Sequence, residues 1–254
     1  MAENVVVTGG YARKCLAVVT SLGRRGVDVA VGNVDRFGPP LWSRFAAARF
    51  VYPSPDDHRE EFLAAVARAV KAHGATLIFP TGGSDTTLLA RERARFDVPV
   101  VAPPAELIEL ANDKAALLAR ARDAGVPIPR TYFDARGRAA EIARDAAFPL
   151  LVRPNRGSGG RGLVRVERAE DVAPAIEKVF AAHGSVLVQE FVPSEQKGFG
   201  CSAVMDLDSR AVALFCHRRL REYPVGGGPA TMVESIVDPV LAAQAEKLLV
   251  ALRW

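Results

Sequence analysis

The first hundred residues alternate between short runs of β-branched residues and segments with the spacing of amphipathic helices. Strands are predicted at 4–7, 27–31, 50–52, 76–79 and 98–102. Strands that are separated by helices form a mostly parallel sheet, because each connection must cross back over the sheet. The sequence therefore predicts a Rossmann-like α/β domain over residues 1–102, with helices on both faces of its sheet.

A different pattern follows Pro103 and Pro104. A helix is predicted from about 105 to 124, and strands then become more frequent. These strands are predicted at 131–133, 150–153, 163–166, 186–190, 199–206, 211–219 and 232–236. The last helix is predicted to begin with Asp238 as its N-cap and Pro239 in its first turn. We expect this second region to be α+β.

Composition and charge limit the partners of the chain. The 254 residues carry a net charge of +4, and the arginines are spread along the sequence, which disfavours nucleic-acid binding. No apolar run is long enough to span a bilayer, and the N-terminus has no signal-peptide pattern. Cys15, Cys201 and Cys216 fit neither a disulfide framework nor a zinc site. We expect a cytoplasmic protein that binds anionic small molecules, with no nucleic-acid or membrane partner.

The segment GSGGRG at 157–162 has the spacing G-x-G-x-x-G that is found in dinucleotide-binding folds. In those folds the glycines lie between a strand and a helix. Here the next residues, LVRV at 163–166, alternate like a strand, so we interpret the glycines as a hairpin turn. A protein kinase is excluded as well, because the nearest match to H-R-D is HRR at 217–219 and no D-F-G occurs.

A glycine hairpin can fold over phosphates, because its backbone N–H groups approach phosphate oxygens with no side chain between them. Arginines at 153, 156, 161 and 165 add positive charge around it. The sequence thus predicts a phosphate flap, and a flexible surface hairpin without a ligand stays open as the alternative.

Further motifs occur in a definite order around this hairpin. Asn112-Asp113-Lys114 comes first, followed by GVPIP at 125–129, FPLLVRP at 148–154, the glycine hairpin and VLVQEFV at 186–192. In this order they resemble the ATP-grasp superfamily of ATP-dependent carboxylate–amine ligases. The resemblance implies a pre-ATP-grasp domain at 1–102, a connecting helix at 103–127, a lid subdomain at 128–191 and part of the C-terminal subdomain at 192–254.

The resemblance also implies an ATP site, in which the glycine flap covers the phosphates and the 186–192 segment pairs with adenine. The implied ATP-binding residues are Lys114, Arg153, Gly157, Ser158, Gly159, Gly160, Gly162, Gln189, Glu190, Phe191, Val192 and Glu195. Val152, Leu187 and Phe191 are expected to form apolar walls around adenine. Arg153 stands where the family usually has lysine, and its planar guanidinium can bind phosphate through two hydrogen bonds.

Arg218, Arg219 and Arg221 are the candidate catalytic residues. The resemblance places them beside the γ-phosphate, where cations neutralise the charge of the transferred group. The implied reaction phosphorylates a carboxylate to an acyl phosphate, which an amine then attacks, with ATP and Mg²⁺ as cofactors. We expect the magnesium ligands beyond residue 254 and little turnover from this chain alone. The expected partners are small-molecule carboxylate and amine substrates, with a homodimer as an option.

Two other functions are compatible with the sequence. A non-catalytic nucleotide-binding protein or fragment would need no complete metal site. A nicotinamide-dependent enzyme would use Thr8-Gly9-Gly10 and Asp35, although the third glycine of that fingerprint is absent.

Overall fold

The computed structural model describes residues 3–11, 13–157, 160–193, 198–223 and 229–254. The chain forms two compact units, Met1–Ile108 and Glu109–Trp254. Each unit has its own sheet structure and its own hydrophobic core.

The first unit is built on a parallel sheet. Its strands are β1 (Asn4–Thr8), β2 (Asp28–Asn33), β3 (Ala46–Val51) and β4 (Leu77–Pro80), and its helices are α1 (Arg13–Gly23), α2 (Arg59–His73) and α3 (Gly83–Arg91). The strand order is β3-β2-β1-β4, and every pair is parallel. Val6 of β1 joins the core cluster of Phe62 in α2, whereas Val7 joins that of Val19 in α1. Both faces of the sheet are therefore covered, as the alternating pattern predicts.

The predicted strand at 98–102 is reduced to a single bridge. Within the described residues, Val100 alone pairs with the sheet, parallel to Ile78 of β4. Ile78 N donates to Pro99 O at 2.9 Å, and Val101 N donates to Ile78 O at 2.9 Å. Proline has no N–H, and prolines stand at 99, 103 and 104, so donors for a longer ladder are missing.

The predicted helix at 105–124 is two helices, α4 (Ala105–Asn112) and α5 (Lys114–Asp123). Asp113 separates them with an extended backbone, φ −99° and ψ 105°, and its carboxylate accepts a hydrogen bond from Ala116 N. An aspartate in this role is a helix N-cap, since it satisfies a backbone donor of the first turn. Lys114 therefore occupies the first position of α5.

An antiparallel sheet with the order β5-β8-β6-β7 follows α5. Its elements in chain order are β5 (Thr131–Tyr132), α6 (Ala139–Asp145), β6 (Leu150–Arg153), β7 (Val164–Val166), α7 (Val172–His183) and β8 (Leu187–Glu190). Val152 and Val188 point into a core that includes Ile142 of α6 and Ile176 of α7. Since side chains alternate along a strand, Arg153 and Gln189 lie on the opposite face.

A second antiparallel sheet completes the described chain. It contains β9 (Phe199–Met205), β10 (Ala211–Glu222) and β11 (Ala230–Ile236) in the order β11-β10-β9, and α8 (Pro239–Leu252) packs against β9 and β10. Asp238 Oδ1 accepts from Leu241 N at 2.9 Å, which confirms Asp238 as the N-cap of α8. The predicted fold class, a parallel α/β domain followed by α+β structure, is confirmed. None of the described helices has the length and apolarity needed to cross a membrane.

Candidate functional site

The glycine segment joins two antiparallel strands. Leu150 pairs with Val166 and Val152 pairs with Val164, so the segment is the turn of the β6–β7 hairpin. The described glycines Gly157, Gly160 and Gly162 have φ values of 112°, 75° and 74°. Residues with a Cβ rarely adopt this left-handed region. The hairpin interpretation is therefore right, and Ser158 and Gly159 lie outside the described residues.

Gly162 has a second structural reason to be glycine. A Cβ at this position would lie 2.4 Å from Nε2 of His183, at the end of α7. This glycine therefore lets the hairpin pack against α7. The contact with His183 therefore explains a glycine at position 162 without a ligand. A Cβ at Gly157 would have no atom within 4 Å, so packing does not require a glycine there.

Lys114 is fixed to the first residues of the glycine segment. Its backbone N–H donates to Asn155 O at 2.9 Å. Its ammonium Nζ donates to Gly157 O at 2.5 Å and to Asn155 O at 3.3 Å. Arg156 lies 3.8 Å from the carboxylate of Asp113, the N-cap of the same helix. The start of α5 and the base of the hairpin thus form one charged surface.

Arg153 ends β6 and is held by a polar chain across the sheet. Its Nη1 donates to Gln189 Oε1 at 3.3 Å, and Gln189 Nε2 donates to Thr131 Oγ1 at 3.0 Å. Thr131 Oγ1 in turn donates to Pro129 O at 2.8 Å. Gln189 is only 5% exposed, so these bonds satisfy a buried amide and orient the guanidinium.

A cavity of about 70 Å³ lies between these groups. It is lined by Lys114, Arg153, Pro154, Gly157, Gly160, Arg161 and Leu163. Burial, and then the charge of Arg153, lower the pKa of Lys114. Burial also lowers the pKa of Arg153, although an arginine stays charged at neutral pH. Cations that converge on one cleft repel each other, so an anion between them would be stabilised.

The residues predicted to lie beside adenine have contacts within the protein, and their ATP-binding role stays a prediction. Glu190 Oε1 accepts from Arg130 N at 2.8 Å, and Glu190 N donates to Arg130 O at 3.0 Å. Phe191 N donates to Pro149 O at 3.1 Å, and the Arg165 guanidinium lies 4.3 Å from the centre of the Phe191 ring. Val192 follows them and is 58% exposed. Glu195 lies outside the described residues.

The expected apolar wall at Val152 is wrong. Val152 is fully buried in the core that faces α6 and α7, on the opposite side of the sheet from Arg153. The reason is the two-residue alternation of a strand, which sends Val152 and Arg153 to different faces. Leu187 alternates with Val188, a core residue, and so lies on the same face as Gln189. Leu187 is also fully buried, so neither side chain is exposed as the predicted wall requires.

The candidate catalytic arginines belong to the other sheet of this unit. Arg218 donates through Nη2 to Glu234 Oε2 at 2.6 Å, across the pair between β10 and β11. Arg219 N donates to Gly198 O at 3.0 Å, and a register shift separates Arg219 from Arg221. The structure therefore places Arg218 in an ion pair on the sheet, and the cleft beside the hairpin is formed by Lys114, Arg153 and Arg161.

Sequence reasoning overlooked Asn155. Its carbonyl accepts hydrogen bonds from the backbone N–H and from Nζ of Lys114, and its own N–H donates to Ser185 Oγ at 3.3 Å. Within the described part of the chain its Oδ1 is buried without a hydrogen-bond partner, which is uncommon for a buried polar atom. The sequence signal is weak, because an asparagine between a proline and a glycine-rich turn usually indicates a turn.

Comparison with known proteins gives several similarities. No protein-family model matches the sequence. The carbamoyl phosphate synthase large chain of Mycobacterium sp. (strain JLS) is 31% identical over 157 residues, which are 59% of this chain and 14% of that protein. The biotin carboxylase of Haemophilus influenzae is 30% identical over 181 residues, which are 67% of this chain and 39% of that protein.

A solved biotin carboxylase-β-γ-ATP complex from Campylobacter jejuni has the same fold, with a TM-score of 0.76 at 16% identity. The match covers 99% of this chain and 60% of that one, so this chain spans less than two thirds of each of these relatives. These relatives are ATP-grasp proteins. Because the fold, the order of the motifs and the similarities agree, the chain belongs to the ATP-grasp superfamily.

Proposed function

We propose that this chain binds ATP at the glycine hairpin and that its protein is an ATP-dependent carboxylate–amine ligase. The observation that carries the proposal is the convergence of Lys114, Arg153 and Arg161 on the cleft beside Gly157 and Gly160. A cleft with several fixed cations and exposed glycine backbone is suited to the phosphates of a nucleotide. The structures with the same fold include a biotin carboxylase solved as a β-γ-ATP complex, which supports a nucleotide ligand here.

The residues of the cleft would hold the phosphates in distinct ways. The Arg153 guanidinium would bind two phosphate oxygens at once, oriented by Gln189. The Lys114 ammonium would exchange its bond to Gly157 O for a phosphate oxygen, which would relieve its repulsion from Arg153. The described cavity of about 70 Å³ is far below the ~300–1,000 Å³ of usual ligand pockets, so it would take phosphate rather than the whole nucleotide.

When bound, ATP would supply the phosphoryl group that activates a carboxylate as an acyl phosphate for attack by an amine. Magnesium is expected in such a reaction, since it neutralises the β- and γ-phosphates. The described residues do not fit a protein-held magnesium ion: no group of three or more His, Cys, Asp or Glu side chains among them could bind a metal. We therefore assign no step to magnesium through this chain. The proposal includes small-molecule carboxylate and amine substrates, a cytoplasmic location and a homodimer as an option.

A nicotinamide dinucleotide fits the first unit less well. Asp35 accepts from Tyr11 Oη at 2.8 Å and from Phe37 N at 2.7 Å, so its carboxylate already has protein partners. A Cβ on Gly9 would lie 2.4 Å from Gly82 N, so this glycine serves the packing of two loops. The ligases among the relatives likewise favour a ligase over a non-catalytic nucleotide-binding protein.

The test is a calorimetric titration of the chain with ATP and, separately, with NAD. We expect ATP to bind and NAD to bind far more weakly, and Arg153→Ala to abolish most of the ATP signal. The matched control is Arg144→Ala, because Arg144 is exposed and paired only with its neighbour Asp145 among the described contacts. Equal binding of both ligands, or equal loss in both variants, would contradict the proposal. Because little turnover is expected from this chain alone, a lack of ADP release from it would not by itself favour the non-catalytic alternative.

A further inference from the structure

Cys201 and Cys216 lie directly opposite each other on the antiparallel strands β9 and β10. Arg219 N donates to Gly198 O at 3.0 Å, which makes 198 and 219 a hydrogen-bonded pair. Such pairs alternate along the ladder, so the pair of Cys201 and Cys216, three positions further, is a non-hydrogen-bonded one. The Cα atoms of such a pair are typically about 4.5 Å apart, within the range of about 4.4–6.8 Å that a disulfide needs.

The register of this pair is set by a run of paired positions on β9 and β10, from Ala213 opposite Val204 to Arg218 opposite Phe199. Asp206 N donates to Arg210 O at 2.9 Å. Asp206 Oδ1 accepts from Asp208 N at 2.9 Å and from Arg210 N at 2.8 Å. This turn at 206–210 closes the hairpin, and the register shift between Ala211 and Ala213 separates it from the run that contains the cysteines. A slip of one position within that run would send the cysteine side chains to opposite faces.

The two thiols differ in accessibility. Cys216 is 7% exposed, and its Sγ–H donates to Asp238 O at 3.8 Å beneath the start of α8. Cys201 is only partly buried, and burial together with a hydrogen bond to Cys216 raises the pKa of its thiol. Cys201 is therefore the thiol that a small oxidant would meet first, and Cys216 is the group beside it that would resolve the product.

We propose that Cys201 and Cys216 form a reversible cross-strand disulfide. The Cys201 thiolate attacks a low-molecular-weight disulfide, which forms a mixed disulfide and releases one small thiol. The Cys216 thiolate then attacks the Cys201 sulfur, which closes the protein disulfide and releases the second small thiol. The two protein thiols together lose two electrons and two protons, which reduce the small disulfide to two thiols.

The new bond would change the sheet close to the arginines of β10. It would join β9 and β10 two residues before Arg218, and it would remove the S–H donor of Asp238 O. The loop between the two cysteines is short, so the link should modestly raise the thermal stability of the chain. This site is independent of the ATP proposal, because neither cysteine lines the cleft beside the glycine hairpin.

The experiment incubates the full chain with oxidised glutathione at about pH 8.5, near the ordinary thiol pKa, blocks free thiols and digests with trypsin. Cleavage after Lys197, Arg210 and Arg218 leaves Cys201 in the peptide 198–210 and Cys216 in the peptide 211–218. We expect these two peptides to be linked, the link to be reversed by excess reduced glutathione, and Cys15 to stay free because it is fully buried.

Variants separate the proposed order of steps from other oxidation chemistry. Cys216→Ser should stop at glutathione on Cys201, whereas Cys201→Ser should leave both remaining cysteines free. Cys15→Ser should still give the linked peptides. Glutathione on both cysteines without a link, or a link that forms only after the chain is unfolded by heat, would overturn the proposal. Should Cys216→Ser not fold, the behaviour of Cys201→Ser and Cys15→Ser still decides it.

Discussion

Arg153→Ala should separate ligand binding from fold stability. Arg153 is the last residue of β6. Its side chain is half-buried and makes one described hydrogen bond, to Gln189 Oε1 at 3.3 Å. Gln189 keeps its bond to Thr131 when this contact is lost. The loss of one such hydrogen bond should lower the free energy of unfolding by about 1 kcal/mol. A charge-assisted bond to phosphate is worth about 1.5–3 kcal/mol, so ATP affinity should fall by about 10- to 150-fold.

The assay is an isothermal titration with ATP, paired with a thermal melt of each variant. Arg153→Lys keeps the charge and loses the planar pair of donors, so we expect an affinity between those of wild type and Arg153→Ala. Arg144→Ala serves as the control for removing an exposed arginine from the same unit. If Arg153→Ala binds ATP within twofold of Arg144→Ala, Arg153 does not contact the phosphates. If Arg153→Ala lowers the free energy of ATP binding by no more than it lowers the free energy of unfolding, the loss of affinity is a structural effect.

Other consequences concern the surroundings of the same cleft. Because burial and Arg153 lower the pKa of Lys114, this lysine loses its proton at a lower pH than an ordinary lysine. The ATP affinity of the wild type should thus fall between neutral pH and about 10. The ATP affinity of Lys114→Arg should not change over this range, because arginine stays charged. Calorimetric titrations with ATP across this pH range measure both. Asp113→Ala should lower the free energy of unfolding by about 0.5–2 kcal/mol through loss of the N-cap, and Asp113→Asn should recover most of it in urea melts. Gly162→Ala should cost about 1–3 kcal/mol for its left-handed φ, plus the clash with His183. The double variant Gly162→Ala/His183→Ala should recover only the free energy of unfolding that is lost through the clash with His183. If it is no more stable than Gly162→Ala, the contact between Gly162 and His183 is refuted.

Local periodicity predicted most of the elements because it reports which face of each element is buried. The parallel strands of the first unit and the β6–β7 hairpin follow directly from it. The single helix predicted at 105–124 was wrong, since periodicity continues across Asp113 while its capping bond interrupts the helix. The strand at 98–102 was overestimated, because β-branched residues favour a strand but prolines remove its donors.

The site was harder to predict than the fold. Lys114 and Arg153 were singled out through the family resemblance, and their meeting at one cleft depends on contacts between residues about forty positions apart. The role of Asn155 lies in its backbone carbonyl, which no sequence motif marks. The ATP-binding roles of these residues stay predictions until binding is measured.

The glycine spacing itself carries less functional information than it suggests. A Cβ at Gly162 would meet the ring of His183, and Gly157 and Gly160 have positive φ values in the loop at 154–163 between β6 and β7, which favour glycine. Gly157 and Gly162, two of the three glycines of the G-x-G-x-x-G pattern, thus have structural reasons that require no ligand, and Gly159 lies outside the described residues. What distinguishes this hairpin is the set of cations around it, because Lys114 and Arg153 are held in a partly buried cleft at a cost to their charged forms. Among the described residues that line the cleft there is no carboxylate to balance these two charges. An anionic ligand would therefore stabilise the charged forms of Lys114 and Arg153.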